Sequence, residues 1–167
     1  MPDPFSGDDC LSDADGGLMN ASIAVAGEKD IPDLIALLGI LFSIESDFTP
    51  DVEKQRRGLV ALLASSTGRI AIARDADGQA IGLATAQLVI STAEGAPSAW
   101  IEDVVIAETW RGKGLGRTLL NHVLDWAKAQ GATRAQLLAD IDNAPALDFY
   151  AHLGWQRTRL GAWRRML

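Results

Sequence analysis

The sequence is short of the residues from which disulfides and metal centres are built. Cys10 is the single cysteine in 167 residues, which excludes an internal disulfide and any cysteine-cluster metal site. The two histidines, His122 and His152, stand far apart without ligand spacing, so no metal is expected. No apolar run approaches the roughly 20 residues needed to cross a bilayer, and no membrane partner is expected. The first residues lack a basic stretch followed by an apolar core, so no secretory signal is read and a cytoplasmic location is expected. Basic residues are missing altogether from positions 1–20, which hold Asp3, Asp8, Asp9, Asp13 and Asp15. Setting those five aspartates aside brings the formal charge from −7 to −2. No basic face emerges, and nucleic-acid binding needs one.

What is present reads as one globular domain. Hydrophobic residues make up 48% of the chain and charged residues 22%. Residues 1–20, rich in Asp, Gly and Ser without periodicity, read as a disordered acidic leader, with Met19 an alternative start. Residues 21–167 are the folded domain.

The chain is organised around Trp100–Gln130. Ile101, Val104, Val105 and Ile106 form an apolar strand. Leu115, Leu119, Val123 and Trp126 recur at helical spacing, so one face of the next helix is buried. Between them runs Arg111-Gly112-Lys113-Gly114-Leu115-Gly116-Arg117. A strand that feeds a glycine-rich loop and then a helix aims several N–H groups and a helix dipole at one point, which makes an anion site. Arg111, Lys113 and Arg117 add positive charge, and the loop reads as a pyrophosphate cradle.

Two nucleotide motifs fail here. A dinucleotide fingerprint starting at Gly112 needs glycine where Arg117 stands, and starting at Gly114 needs it where Leu119 stands. A P-loop needs Ser or Thr after Gly112-Lys113, where Gly114 stands. The remaining R-x-x-G-x-G resembles the GNAT superfamily of N-acetyltransferases, which holds the pyrophosphate of acetyl-coenzyme A with this loop. Asn143-Ala-Pro-Ala-Leu-Asp-Phe-Tyr150-Ala-His-Leu-Gly154-Trp155 resembles the family's N-x-x-A-x-x-x-Y-x-x-x-G-F/W segment with its spacing intact. The likeness spans roughly residues 21–166 and is most specific from Ile101 to Trp155.

The resemblance implies an α/β (α+β) GNAT fold. Its mixed, mostly antiparallel sheet has about seven strands with helices on both faces, in the order βααβββαβαββ. The strands fall at 21–26, 69–74, 80–89, 98–106 and 135–139, with a closing hairpin at 155–160 and 162–166 around Gly161. The helices begin at Asp30-Ile31-Pro32, at Thr49-Pro50, after Gly114 and at Asn143. The loop 42–49, with Glu45, Asp47 and Phe48, would select the acceptor, and its carboxylates would suit a cationic amine.

Site roles follow from the same likeness. Glu102 is the candidate general base, with Asp103 on the opposite strand face as reserve. Val104, Val105 and Ile106 would supply a backbone N–H to the acetyl oxygen at a strand bulge and pair with pantetheine. Arg111, Gly112, Lys113, Gly114, Leu115, Gly116 and Arg117 would hold the pyrophosphate. Asn143 would touch the pantetheine or phosphate arm, and Tyr150 would protonate the leaving thiolate. Trp110 would brace the loop, and Trp126 and Trp155 would lie in the core. The implied function is direct acetyl transfer from acetyl-CoA, without metal, to a small-molecule or peptide amine; homodimers are common in the family. The alternatives are a noncatalytic acyl-CoA-binding module on the same fold and a nucleotide-binding regulator.

Overall fold

The computed structural model describes residues 20–45 and 47–167, so the predicted acidic leader lies almost wholly outside the described residues. These residues fall into two compact units, one through Gln136 and one from Leu137.

In the first unit the strands β1 (Ala21–Val25), β2 (Gly68–Asp75), β3 (Ala80–Ser91) and β4 (Ala96–Ile106) pair antiparallel in sequence order. β5 (Arg134–Leu137) lies next to β4. A helical crossover separates β4 from β5, the connection that parallel neighbours require. The helices α1 (Ile31–Ile44) and α2 (Val52–Leu63) precede β2, and α3 (Leu115–Ala129) is the crossover.

Alternation along the strands gives the sheet two chemically different faces. On one, Ile70, Ile72, Leu83 and Val105 pack with Leu34, Leu37 and Leu38 of α1 and Leu59 of α2. On the other lie Ala71, Ala73, Gly82, Ala84 and Ala86, all buried or nearly so. Small residues there let α3 seat Leu119, Leu120, Val123 and Trp126 close against the strands. A Cβ placed on Gly82 would come within 2.9 Å of Ile106 Cδ1 and 3.2 Å of Leu119 Cδ2. Each large buried apolar side chain contributes roughly 1.5–3 kcal/mol, so this two-sided burial holds the sheet between α1–α2 and α3.

The start of α1 is held by charge. Pro32 sits in the first turn, and Asp30 turns its carboxylate away from the helix amides. It accepts from Gly27 N at 2.8 Å and from Arg74 Nη2 at 2.7 Å, and Asp33 takes the same guanidinium nitrogen at 2.8 Å. α2 starts later than Thr49-Pro50 suggested. Its cap is Asp51, which accepts from the amides of Glu53 and Lys54.

The second unit contains α4 (Ala144–His152), with Asn143 as its cap, and no strand from 153 to 167. The predicted hairpin around Gly161 is therefore absent, and the described residues hold five strands rather than about seven. Leu160, Trp163 and Met166 are almost fully exposed, so the apolar residues there have no buried face to line. The order becomes βααβββαβα.

Candidate active site

β4 ends at Ile106, makes one 3₁₀ turn over Glu108–Trp110 and enters the glycine-rich loop. Gly112 and Gly114 both take positive φ, +73° and +83°, a conformation costly to residues with a Cβ. Gly114 is the residue before α3, so no side chain caps the helix, and no acidic residue stands in its first turn. The amides of Leu115, Gly116 and Arg117 open this helix without an intrahelical acceptor. Arg111 anchors the loop to the strand by donating Nε–H to Ile106 O at 3.0 Å. Lys113 Nζ lies 5.1 Å from the centre of the Trp110 ring, so Trp110 braces the loop through a cation–π contact. Arg111, Lys113 and Arg117 are all exposed. These residues fit the pyrophosphate of a coenzyme A thioester: uncapped amides, left-handed glycines that leave the backbone bare, and three cations.

Eight residues upstream the strand breaks its own rhythm. Ala84 faces Val104 and Ala86 faces Ile101, so Thr85 alone stands opposite both Glu102 and Asp103. That is a β-bulge, one additional residue in β4. Ile101 and Val104, three apart, consequently share the α3 face, and Glu102 and Asp103 both open on the α1–α2 side. The expectation that Asp103 points away from Glu102 is thus corrected, because regular alternation stops at Ile101. The amide displaced by the bulge is that of Asp103, just ahead of the Val104–Ile106 stretch. It donates to Thr85 Oγ1 at 3.0 Å, while Thr85 Oγ1–H donates to Asp103 Oδ2 at 2.9 Å.

The two carboxylates line a cavity of about 650 Å³ together with Leu38, Phe42, Phe48, Asp51, Lys54 and Gln55. Phe42 and Phe48 meet at 5.4 Å between ring centres and form an aromatic wall. Glu102 is exposed at this cavity and accepts from Trp100 Nε1–H at 2.6 Å. Asp103 is deeper. Burial, opposed by the Thr85 hydroxyl and reinforced by the charge of Glu102, pushes its carboxyl up to about 6. Gln55 is buried on α2, and its Nε2 has no hydrogen-bond partner among the described residues.

The predicted loop 42–49 reaches this cavity through Phe42, Phe48 and Thr49 rather than through its acids. Phe42 belongs to the last turn of α1, and Glu45 and Asp47 are not among the lining residues; the acids that line the cavity are Asp51, Glu102 and Asp103. Sequence reasoning missed Asp51 and Gln55 as lining residues and misplaced Asp103. One signal was available: two polar residues, Glu102-Asp103, followed by two apolar ones, Val104-Val105, cannot alternate.

In the second unit, Asn143 Oδ1 accepts from Ala146 N at 3.2 Å and so caps α4. Tyr150 packs edge-on against Phe149 and Trp155, at 5.2 and 5.8 Å between ring centres. Trp126 is buried, as expected, but Trp155 is only half-buried, edge-on to Tyr150 rather than enclosed in a core.

Known proteins bear on this arrangement. The profile of the acetyltransferase (GNAT) family matches residues 38–155. Streptothricin acetyltransferase of Streptomyces lavendulae is 36% identical over 92 residues, 52% of this chain and 44% of that enzyme, so the chain matches less than half of the enzyme's length. Aminoglycoside N(6')-acetyltransferase type 1 of Stenotrophomonas maltophilia is 26% identical over 70% of this chain and 78% of its own length. Among solved structures, an aminoglycoside N-acetyltransferase in complex with CoA superposes with a TM-score of 0.75, covering 87% of this chain and 94% of that one at 18% identity. A strand that bulges at a carboxylate pair and runs into an R-x-x-G-x-G helix start, under a family profile spanning most of the length, places this chain in the acetyltransferase (GNAT) family, a family of acyl-transferring enzymes.

Proposed function

We propose that the chain is an N-acetyltransferase that moves the acetyl group of acetyl-CoA directly onto a primary amine within a ternary complex. One observation carries the reading: a single strand, β4, presents two carboxylates to a cavity and then leads, through one 3₁₀ turn, into a loop built to hold an anion. The two halves of a bisubstrate reaction need those two environments side by side. Acetyl-CoA supplies the activated acyl group.

The residues divide as follows. Arg111 to Arg117 bind the pyrophosphate, and the backbone of Val104–Ile106 lies alongside the pantetheine arm. The Glu102–Asp103 pair attracts the ammonium and takes its proton, because a protonated amine has no lone pair with which to attack a thioester. Tyr150, with a phenol that stays protonated at neutral pH, returns a proton to the thiolate, and Asn143 steadies the cofactor arm; both roles rest on the motif spacing. The acceptor is a cationic small-molecule amine, as the acids Asp51, Glu102 and Asp103 in the cavity suit, and as the names of the streptothricin and aminoglycoside relatives suggest.

The test is a panel of amines with acetyl-CoA, read as free thiol released, together with calorimetric titration of CoA. Thiol release with at least one amine supports the enzyme. CoA binding with no turnover on any amine points instead to the noncatalytic acyl-CoA-binding module. Binding of ATP or NAD in place of CoA would overturn the cofactor assignment.

A further inference from the structure

The carboxylate pair at the bulge is not symmetrical, and the asymmetry separates two jobs. We propose that Asp103, held by Thr85, is the group that takes the proton from the acceptor amine, and that Glu102 receives and orients the ammonium at the cavity mouth. This rests on the acetyl-transfer reading above and assigns the base within it.

Geometry comes first. The bulge turns Asp103 into the cavity, where regular pleating would have turned it toward α3. Thr85 closes a small ring on it, with its hydroxyl accepting from the Asp103 amide and donating to Oδ2. That leaves Oδ1 with no hydrogen bond among the described residues. One oxygen is fixed and the other is available, which is how a base is kept in a single orientation. Glu102 is arranged differently: it is exposed, and its Oε2 is already engaged by the Trp100 indole N–H.

The surroundings agree. The ionisable groups lining the cavity besides Asp103 are Asp51 and Lys54 at the start of α2 and Glu102 on β4 itself. α1 contributes Leu38 and Phe42, and β3 contributes Thr85 and Gln87, none of them ionisable. Lys54 leans toward Asp51, 4.0 Å away, with most of its side chain in solvent. No cation in the lining therefore competes for Asp103. Its elevated titration near 6 follows from burial and from Glu102, and a carboxylate titrating there is a better proton acceptor than a solvated one while still ionised at neutral pH.

The step balances. The ammonium gives one proton to Asp103 Oδ1, and the freed nitrogen attacks the thioester carbonyl carbon. The carbon–sulfur bond breaks, the second amine proton ends on the thiol, and Asp103 releases its proton to solvent. The products are an amide, free CoA and one proton.

The experiment is a pH profile of kcat/KM on the full chain with an amine found in the panel. In the parent an acidic limb near pH 6 is expected. Asp103→Asn should lower kcat by about 10²–10⁴ and abolish that limb. Thr85→Val removes the hydroxyl that holds the titration down, so the limb should move to higher pH, and Thr85→Ser should bring it back. Glu102→Gln removes the charge that holds it up, so the limb should move to lower pH, with the larger change in KM. An unchanged limb in Asp103→Asn, or a loss of 100-fold or more in kcat from Glu102→Gln with Asp103→Asn near parental, overturns the assignment. If Asp103→Asn fails to fold, the opposed shifts in Thr85→Val and Glu102→Gln decide, and limbs that stay in place refute it. A parent that releases no thiol with any amine fails at the level of the enzyme reading, a different result from an active parent with the wrong limb.

Discussion

The loop at 111–117 follows the strand that lines the cavity beside the bulge, yet the two are made in opposite ways. The loop is basic, exposed and continuous in sequence, and its conformation is written into two left-handed glycines and an uncapped helix start. The cavity is acidic and gathered from α1, α2, β3 and β4, and its shape depends on one strand slipping by a residue against its neighbour. A diphosphate can be gripped by whatever backbone presents amides and charge, so a short local motif serves. Discriminating among amines needs walls from several elements, and those can diverge while the loop stays the same. The relatives whose names specify aminoglycosides or streptothricin are thus informative about the donor side and much less so about the acceptor.

The comparison can be broken by variants that should affect one region and spare the other. Asp103→Asn has the largest expected effect, a loss of about 10²–10⁴ in kcat, with the dissociation constant of CoA unchanged in calorimetry. Next comes Gly114→Val, which forces a β-branched residue to the left-handed φ of +83°. It should weaken CoA by at least about tenfold, the equivalent of roughly 1.4 kcal/mol, and leave the pH limb of kcat/KM in place. If either variant disturbed both sites equally, the division of labour would be lost.

Stability should show the same split. Folding raises the carboxyl of Asp103 from 3.8 to about 6, so its burial is free of penalty below pH 3.8, where both states are protonated. The penalty grows as pH rises and is complete above about 6, on the order of 3 kcal/mol. Asp103→Asn should therefore raise the melting temperature at pH 8 more than at pH 4, while Gly114→Val lowers it at both. The smallest effect is expected at Gln55, whose unpaired Nε2 is buried at the cavity wall. Gln55→Leu removes an unsatisfied donor and should stabilise by about 1 kcal/mol in denaturant unfolding, with CoA binding untouched.

How much of this could be read from the chain depends on how far apart the deciding residues lie. The loop was legible because Arg111, Gly112 and Gly114 carry their meaning within a few positions. The strand–helix order through α4 was also legible, since Leu115, Leu119, Val123 and Trp126 announce a buried helix face without reference to the sheet. The bulge was legible only as a hint, the polar pair before an apolar pair at 102–105, because its place is a relation between Thr85 and residues 17 and 18 positions later. Knowing that Ile101 and Val104 share a face requires knowing what Ala86 and Ala84 oppose. Likewise Asp51 and Gln55 carried no signal of their own until α2 is seen to share a cavity with β4. The hairpin expected after Gly154 had a turn at Gly161 but no regular alternation in 155–160 or 162–166, and Leu160, Trp163 and Met166 are left bare.

The bulge also has a bearing on how such a catalyst could arise. Removing Glu102 alone would leave Ile101, Asp103 and Val104 in regular up-and-down order, with Thr85 facing a single partner and every buried neighbour still in phase. A chain without Glu102 would thus carry an ordinary ladder. Glu102 adds a second acid on the cavity side without repacking the core behind it. The shortened protein keeps Asp103 opposite Thr85, so it should still turn over amine with a raised KM, and comparing the two by calorimetry and thiol release would show how separable folding and chemistry are on this strand.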